Sequence, residues 1–245
     1  MAKAAPAEQL RLLELQALDA KLKQLDHRAK TLREDPRLGD LHAGLAVAQS
    51  DLVLRTTEVA DTRRELTRAE TDVEQVATRI ARDESKLNSG TGLSKDLMAL
   101  QNDLASLARR RSDLEDIELE VMERLDEATA RQAKQQGVVD DIHGSLAGIR
   151  DELDAQLAEV TAERDIVVKE RQALAESFDQ GLLGLYERTL AKRGIGAARL
   201  FHGTSEGSGM QLSAGDLADI SKAGADEIVF CPDSGCILVR NGEWS

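Results

Sequence analysis

Residues able to do chemistry are sparse in this 245-residue chain, and both cysteines fall in one heptapeptide, FCPDSGC, Phe230 to Cys236. Two thiols flanking a tight turn have the form of a zinc knuckle, and a zinc ribbon needs two knuckles. Elsewhere, His27, His42 and His143 stand far apart, so a metal or catalytic pair would require a bend that brings His42 to His143. The stretch KRGIGAARL, Lys192 to Leu200, lacks the G-x-G-x-x-G order and a flanking βαβ unit, and reads as a turn rather than a phosphate loop. No set of nucleophile, base and oxyanion donors is visible, which points away from an enzyme.

The elements around the cysteines can be read from local pattern. LLGLYERTLAKR predicts a short amphipathic helix stopped by Gly194 and Gly196, and AARLFHG a strand. In LSAGDLADISKAG, Ser213 can cap a helix whose N-terminal dipole Asp216 favours, and Gly224 ends it. DEIVFC and CILVR are expected strands joined by PDSG, where Pro232 presets the bend and Gly235 tolerates the closing dihedral. Such a module is too small to be secure without a metal or a neighbour.

Upstream the pattern changes to heptads. Leu38, Leu41, Leu45, Ala48, Leu52, Arg55, Val59, Thr62, Leu66, Ala69, Val73, Val76, Ile80, Asp83 and Leu87 alternate spacings of three and four, a seam that stops at NSGTG, residues 88–92. A second seam runs through Leu97, Leu100, Leu104, Leu107, Arg111, Leu114, Glu118, Val121, Leu125 and Ala128, then from Val139 through Leu146, Leu153, Val160 and Val167 to Leu174. Paired across the turn, the seams keep one register from Ile80 with Leu100 to Leu38 with Ile142, which predicts an antiparallel helical hairpin. Before Pro36 a shorter heptad, Leu15, Leu18, Leu22, Leu25, Ala29 and Leu32, extends the first arm. Gly144 lies opposite the proline, so a kink is expected near residues 36 and 144. The fold class is therefore mainly α: an antiparallel coiled-coil hairpin over residues 1–176 and a small α+β module over 177–245.

Composition agrees with long helices. Aromatic residues are 2% of the chain, charged residues 31% and hydrophobic residues 41%, with only three prolines. No apolar run is long enough to span a membrane, and the N-terminus turns charged before a signal-peptide core could form, so a cytoplasmic protein with reduced thiols is expected. The net charge of -13 opposes nucleic acid overall, and residues 177–245 hold six Lys/Arg against nine Asp/Glu.

The heptad hairpin followed by LYERTLAKRGIGAARL, SEGSGMQLSAGDLADI and DEIVFCPDSGCILVR resembles a bacterial family, with actinobacterial members most similar, that joins an N-terminal coiled coil to a C-terminal four-cysteine zinc ribbon. The family pattern is C-x-G-C before the L-S helix and C-x-x-C-G-x-I-L-V after it. Carried onto this sequence, the ligand positions fall on Ser205, Ser208, Cys231 and Ser234, so three of the four are serine. Cys236 lies outside the pattern. A serine hydroxyl does not ionise near neutral pH, so no metal is expected, and the set Cys231, Cys236 and His202 offers only three donors. Cys231 and Cys236 are instead a possible thiol pair across the hairpin.

These readings imply a non-enzymatic scaffold or adaptor without a cofactor, a monomer or weak homo-oligomer that binds a protein partner and no membrane. The alternative is nucleic-acid binding through the degenerate ribbon.

Overall fold

Leucine, alanine, glutamate and arginine dominate the first three quarters of the chain, and these residues lose little side-chain freedom in a helix. The computed structural model describes residues 3–90, 93–240, 242 and 244. Three long helices account for most of it: α1 (Pro6–Arg33), α2 (Pro36–Asn88) and α3 (Ser94–Glu176). A short α4 (Gln180–Arg193) follows, then β1 (Ala197–Phe201), β2 (Thr204–Ser205), β3 (Met210–Gln211), α5 (Ala214–Lys222), β4 (Val229–Phe230) and β5 (Ile237–Arg240). The fold is thus an antiparallel coiled-coil helical hairpin with a small C-terminal α+β module. No helix among the described residues is long and apolar enough to cross a membrane.

Contacts divide the chain into two compact units, Pro36–Arg150 and Met1–Asp35 with Asp151–Ser245. In the first unit α2 and the preceding half of α3 lie antiparallel. All the seam positions named above are buried or half-buried except Arg55 and Arg111, whose long side chains escape to solvent. Asp83 is a buried acidic member of the seam: it is 5% exposed, and Arg79, Arg82 and Lys86 surround its carboxylate at 3.4 to 3.6 Å. Cross-arm pairs flank the seam, with Arg124 donating to Glu65 and Arg131 to Glu58 at 2.9 Å, and Gln135 to the Ala48 carbonyl at 3.0 Å. The two ion pairs join residues displaced from level pairing in the same sense. Side chains lean toward their own helix N-terminus, so on antiparallel arms an arginine and a glutamate meet by leaning toward each other. Of the expected turn, Asn88, Ser89 and Gly90 end α2, with Gly90 at φ +64°; Thr91 and Gly92 lie outside the described residues.

The break at Pro36 is a helix boundary: α1 stops at Arg33, and α2 begins at the proline, whose missing N–H costs nothing there. Gly144 and Gly148 leave α3 uninterrupted.

In the second unit α1 packs along the end of α3 through Leu25, Ala29, Val160 and Val167. Toward its N-terminus α1 leaves the coiled-coil role and becomes part of the module's core. Leu12 and Leu15, both fully buried, join Ala175, Phe178, Leu182, Tyr186, Ala197, Ile237 and Val239. The sheet order is β3-β2-β1-β5-β4, with β1 and β5 parallel and the other pairs antiparallel. Its other face carries a second cluster of Ala198, Leu200, Leu212, Ile220, Cys231, Cys236 and Leu238. Strand β5 is therefore covered on both sides, which is why CILV reads as a continuous apolar run rather than an alternating one.

The module is tied to α1 by hydrogen bonds as well. Gln16 accepts from the backbone N–H groups of Gly196 and Ala197 at 2.7 and 3.2 Å, and the Tyr186 hydroxyl donates to Asp19 at 2.7 Å. Burial first, and then the Asp19 carboxylate, push the Tyr186 phenol far above its ordinary range, so it stays a donor. Arg171 joins the network to Asp19 and Glu187. A Cβ at Gly196 would lie 2.3 Å from the Tyr186 ring, so only glycine fits there.

Candidate functional site

The residues singled out by the cysteine pattern come from two turns. Ser205 ends β2 and Ser208 lies in the β2–β3 connection, which is held closed by the Gly209 N–H donating to the Ser205 carbonyl at 2.8 Å. Cys231 to Cys236 form the β4–β5 connection, with the Cys231 N–H donating to the Cys236 carbonyl at 2.9 Å and the Gly235 N–H to Cys231 at 2.8 Å. Gly235 sits at φ +70°, a conformation that only glycine adopts without strain.

The two turns meet. Ser208 Oγ stands 3.9 Å from Cys231 Sγ, and the Ser234 N–H points at the same sulfur at 3.5 Å. The Ser234 hydroxyl donates to Cys236 Sγ at 3.1 Å. Ser205 is fully buried, and its hydroxyl has no hydrogen-bond partner among the described residues; it is near enough to the Cys231 thiol to favour the ionised form. An unsatisfied buried hydroxyl costs about 1–3 kcal/mol. Gly207 closes the cluster, since a Cβ there would lie 2.7 Å from Cys236 Sγ and 2.9 Å from Ala198 Cβ. All four family ligand positions, with Cys236, therefore occupy one place.

The two thiols are free, buried and unequal. Burial raises the Cys231 thiol, but the Ser205 hydroxyl, the N–H and hydroxyl of Ser234 and the Asp233 backbone outweigh it and bring it below the ordinary thiol range. Cys236 is raised by burial and by its neighbour Cys231, and the Ser234 hydroxyl offsets this only in part.

The other candidate donors do not join this cluster. His202 is exposed, in a left-handed conformation at φ +47°, with its ring 4.2 Å from that of Phe201. His42 Nε2 accepts from the Arg150 guanidinium at 2.9 Å, which places its proton on Nδ1. Among the described residues no group of three or more His, Cys, Asp or Glu side chains could hold a metal ion.

Pattern reading missed β2 and β3, because two residues each are too few to show alternation. The signal that was available is His202-Gly203, both at positive φ, which makes the two-residue β1–β2 hairpin turn.

A coiled-coil hairpin and a ribbon-type module whose two turns converge define a class of protein. This chain belongs to the family of the CT398-like coiled coil hairpin domain, whose model matches residues 15–194. A C4-type zinc ribbon domain matches residues 204–238. An uncharacterized protein of Mycobacterium tuberculosis is 37% identical over 238 residues, 97% of each chain, and one of Mycobacterium leprae is 28% identical over 220 residues, 90% of this chain and 95% of that one. A solved structure from Mycobacterium smegmatis has a TM-score of 0.83 at 31% identity, over 97% of this chain and 100% of that one. The structure of CT398 from Chlamydia trachomatis, at a TM-score of 0.62 and 18% identity over 95% and 97% of the two chains, shares the fold.

The ribbon family implies zinc, and the donors here do not fit it. One thiol and three hydroxyls occupy the four positions, and the hydroxyls supply neither the charge nor the softness that tetrahedral structural zinc requires.

Proposed function

We propose that this protein is a non-enzymatic scaffold or adaptor, cytoplasmic and monomeric or weakly self-associating, whose helical hairpin binds a protein partner. The observation that carries the reading lies in the unit Pro36–Arg150. Its seam is filled, yet Val47, Val53 and Leu54 are each 64% exposed. Val47 and Leu54 are two turns apart on one face of α2, and apolar side chains left in water beside a satisfied seam are what a partner would cover. Family membership supports the reading through the hairpin itself.

A photo-crosslinking residue at position 54 of the full chain, used in cells, tests it. The expected result is one protein captured repeatedly, and lost when Val47→Glu and Ser50→Glu, on the same face of α2, are added without change in helicity. Absence of a reproducible adduct, or an adduct indifferent to the two charges, removes the reading. The zinc-ribbon match favours a second one, nucleic-acid binding by the module, which gel shifts at low salt distinguish.

A further inference from the structure

Cys231 and Cys236 stand opposite one another in the β4–β5 ladder. Val229 pairs with Leu238 and Phe230 with Ile237, and the Cys231 N–H to Cys236 carbonyl bond adds the next rung. Opposite residues in an antiparallel ladder project to the same face with Cβ atoms about 5 Å apart. Both sulfurs accordingly belong to one buried cluster, with Ala198, Leu200 and Leu238. Ser234 touches both, one through its N–H and the other through its hydroxyl. The fully buried Ser205 hydroxyl on the Cys231 side has no hydrogen-bond partner among the described residues, and a Cβ at Gly207 would lie 2.7 Å from Cys236 Sγ, so only glycine lets that turn pass over the sulfur.

Zinc asks for four such donors, whereas a monovalent d10 cation is satisfied by two thiolates in line, and soft sulfur ligands select it. We propose that Cys231 and Cys236 form a two-thiolate site for a monovalent thiophilic cation of the copper(I) class, with the Ser205 and Ser234 hydroxyls as donors to the bound thiolates. Binding converts two thiols and one Cu(I) into a bis-thiolate complex of net charge -1 and releases two protons; no oxidation state changes. The site explains why a second cysteine lies beside the ribbon's second knuckle while three ligand positions have become hydroxyls.

The test uses the full-length reduced protein, titrated anaerobically with Cu(I) against the chromogenic chelator bicinchoninate. The expected result is one equivalent of Cu(I) withdrawn from the chelator, loss of both titratable thiols and release of two protons per ion. Cys231→Ser and Cys236→Ser each weaken capture about a hundredfold or more. Gly207→Ala, which intrudes on Cys236, weakens it about tenfold. Comparison with the urea-unfolded chain separates the folded site from two thiols on a flexible segment, and the folded chain is expected to bind more tightly. The proposal fails if reduced, folded protein with two countable thiols leaves Cu(I) on the chelator. It fails equally if Cys236→Ser or the unfolded chain binds as tightly, or if zinc(II) is withdrawn at one equivalent from the zinc chromophore pyridylazoresorcinol.

Discussion

At the scale of single residues, the cluster of serines and cysteines makes two thiols of one hairpin chemically different. Cys231 is influenced by the Ser205 hydroxyl and by the N–H and hydroxyl of Ser234, which favour its thiolate, whereas Cys236 faces Ala198 and a single hydroxyl. Alkylation by iodoacetamide as a function of pH, followed in Cys231→Ser and Cys236→Ser, should therefore give an inflection below the usual thiol range for Cys231 and above it for Cys236. Ser205→Ala should move the Cys231 inflection upward and leave that of Cys236 in place; equal profiles for the two thiols would contradict the geometry. Gly196 makes a steric prediction of a different kind. A methyl group there meets the Tyr186 ring, so Gly196→Ala should cost about 2–3 kcal/mol of local stability, read as faster amide exchange in β1 and α4. Gly144→Ala, with nothing near its Cβ and a helix on both sides, should instead stabilise α3 by about 0.5–1 kcal/mol.

At the scale of elements, the module is held by a neighbour. Leu12 and Leu15 of α1 are fully buried against Tyr186, Ile237 and Val239, and Gln16 and Asp19 satisfy polar groups of the module. Leu15→Ala should cost about 3 kcal/mol and raise amide exchange in β1 and β5 together, whereas Leu54→Ala, exposed on α2, should change stability by less than about 0.5 kcal/mol. If exchange in the sheet is unaffected by Leu15→Ala, α1 is not the module's support. The sequence announced part of this arrangement. Both seams were legible because a heptad repeat is a long signal in which errors at Arg55 or Arg111 do not matter. The caps at Ser213 and Gly194 were legible because each depends on one residue in one conformation; Ser213 accepts from the Asp216 N–H, and Gly194 is left-handed. Leu12 was not, since a leucine one turn before a heptad looks like more heptad until the sheet that covers it is known. The parallel pairing of β1 with β5 was also hidden, because it joins residues some 40 positions apart and leaves no local trace. In the candidate site, the resemblance brought Ser205 and Ser208 to the cysteines, but nothing in the chain's own pattern could show that Ser234 touches both sulfurs.

At the scale of the whole molecule, charge decides between the two functional readings. The chain carries 45 Asp and Glu against 32 Lys and Arg, so any nucleic-acid site must be a local cationic patch. The module has six cations, and three are engaged: Arg199 with Glu206, Lys222 with Asp219, and Arg240 with the carbonyls of Ile220, Ala223, Gly224 and Glu227. Arg188, Lys192 and Arg193, all on α4, remain, so a module-borne site would neutralise about three phosphates. Its affinity would then fall with a log–log slope of about -2.7, or about fortyfold between 50 and 200 mM salt. A partner that covers Val47 and Leu54 by apolar contact should respond little over the same range, because burial of apolar surface involves no counterion release. We therefore expect crosslinking at position 54 to change less than about twofold across that range, and gel shifts with single- or double-stranded nucleic acid to be absent even at 50 mM salt. A retarded complex that weakens fortyfold, and that Arg188→Ala with Arg193→Ala abolishes, would move the function from the hairpin to α4.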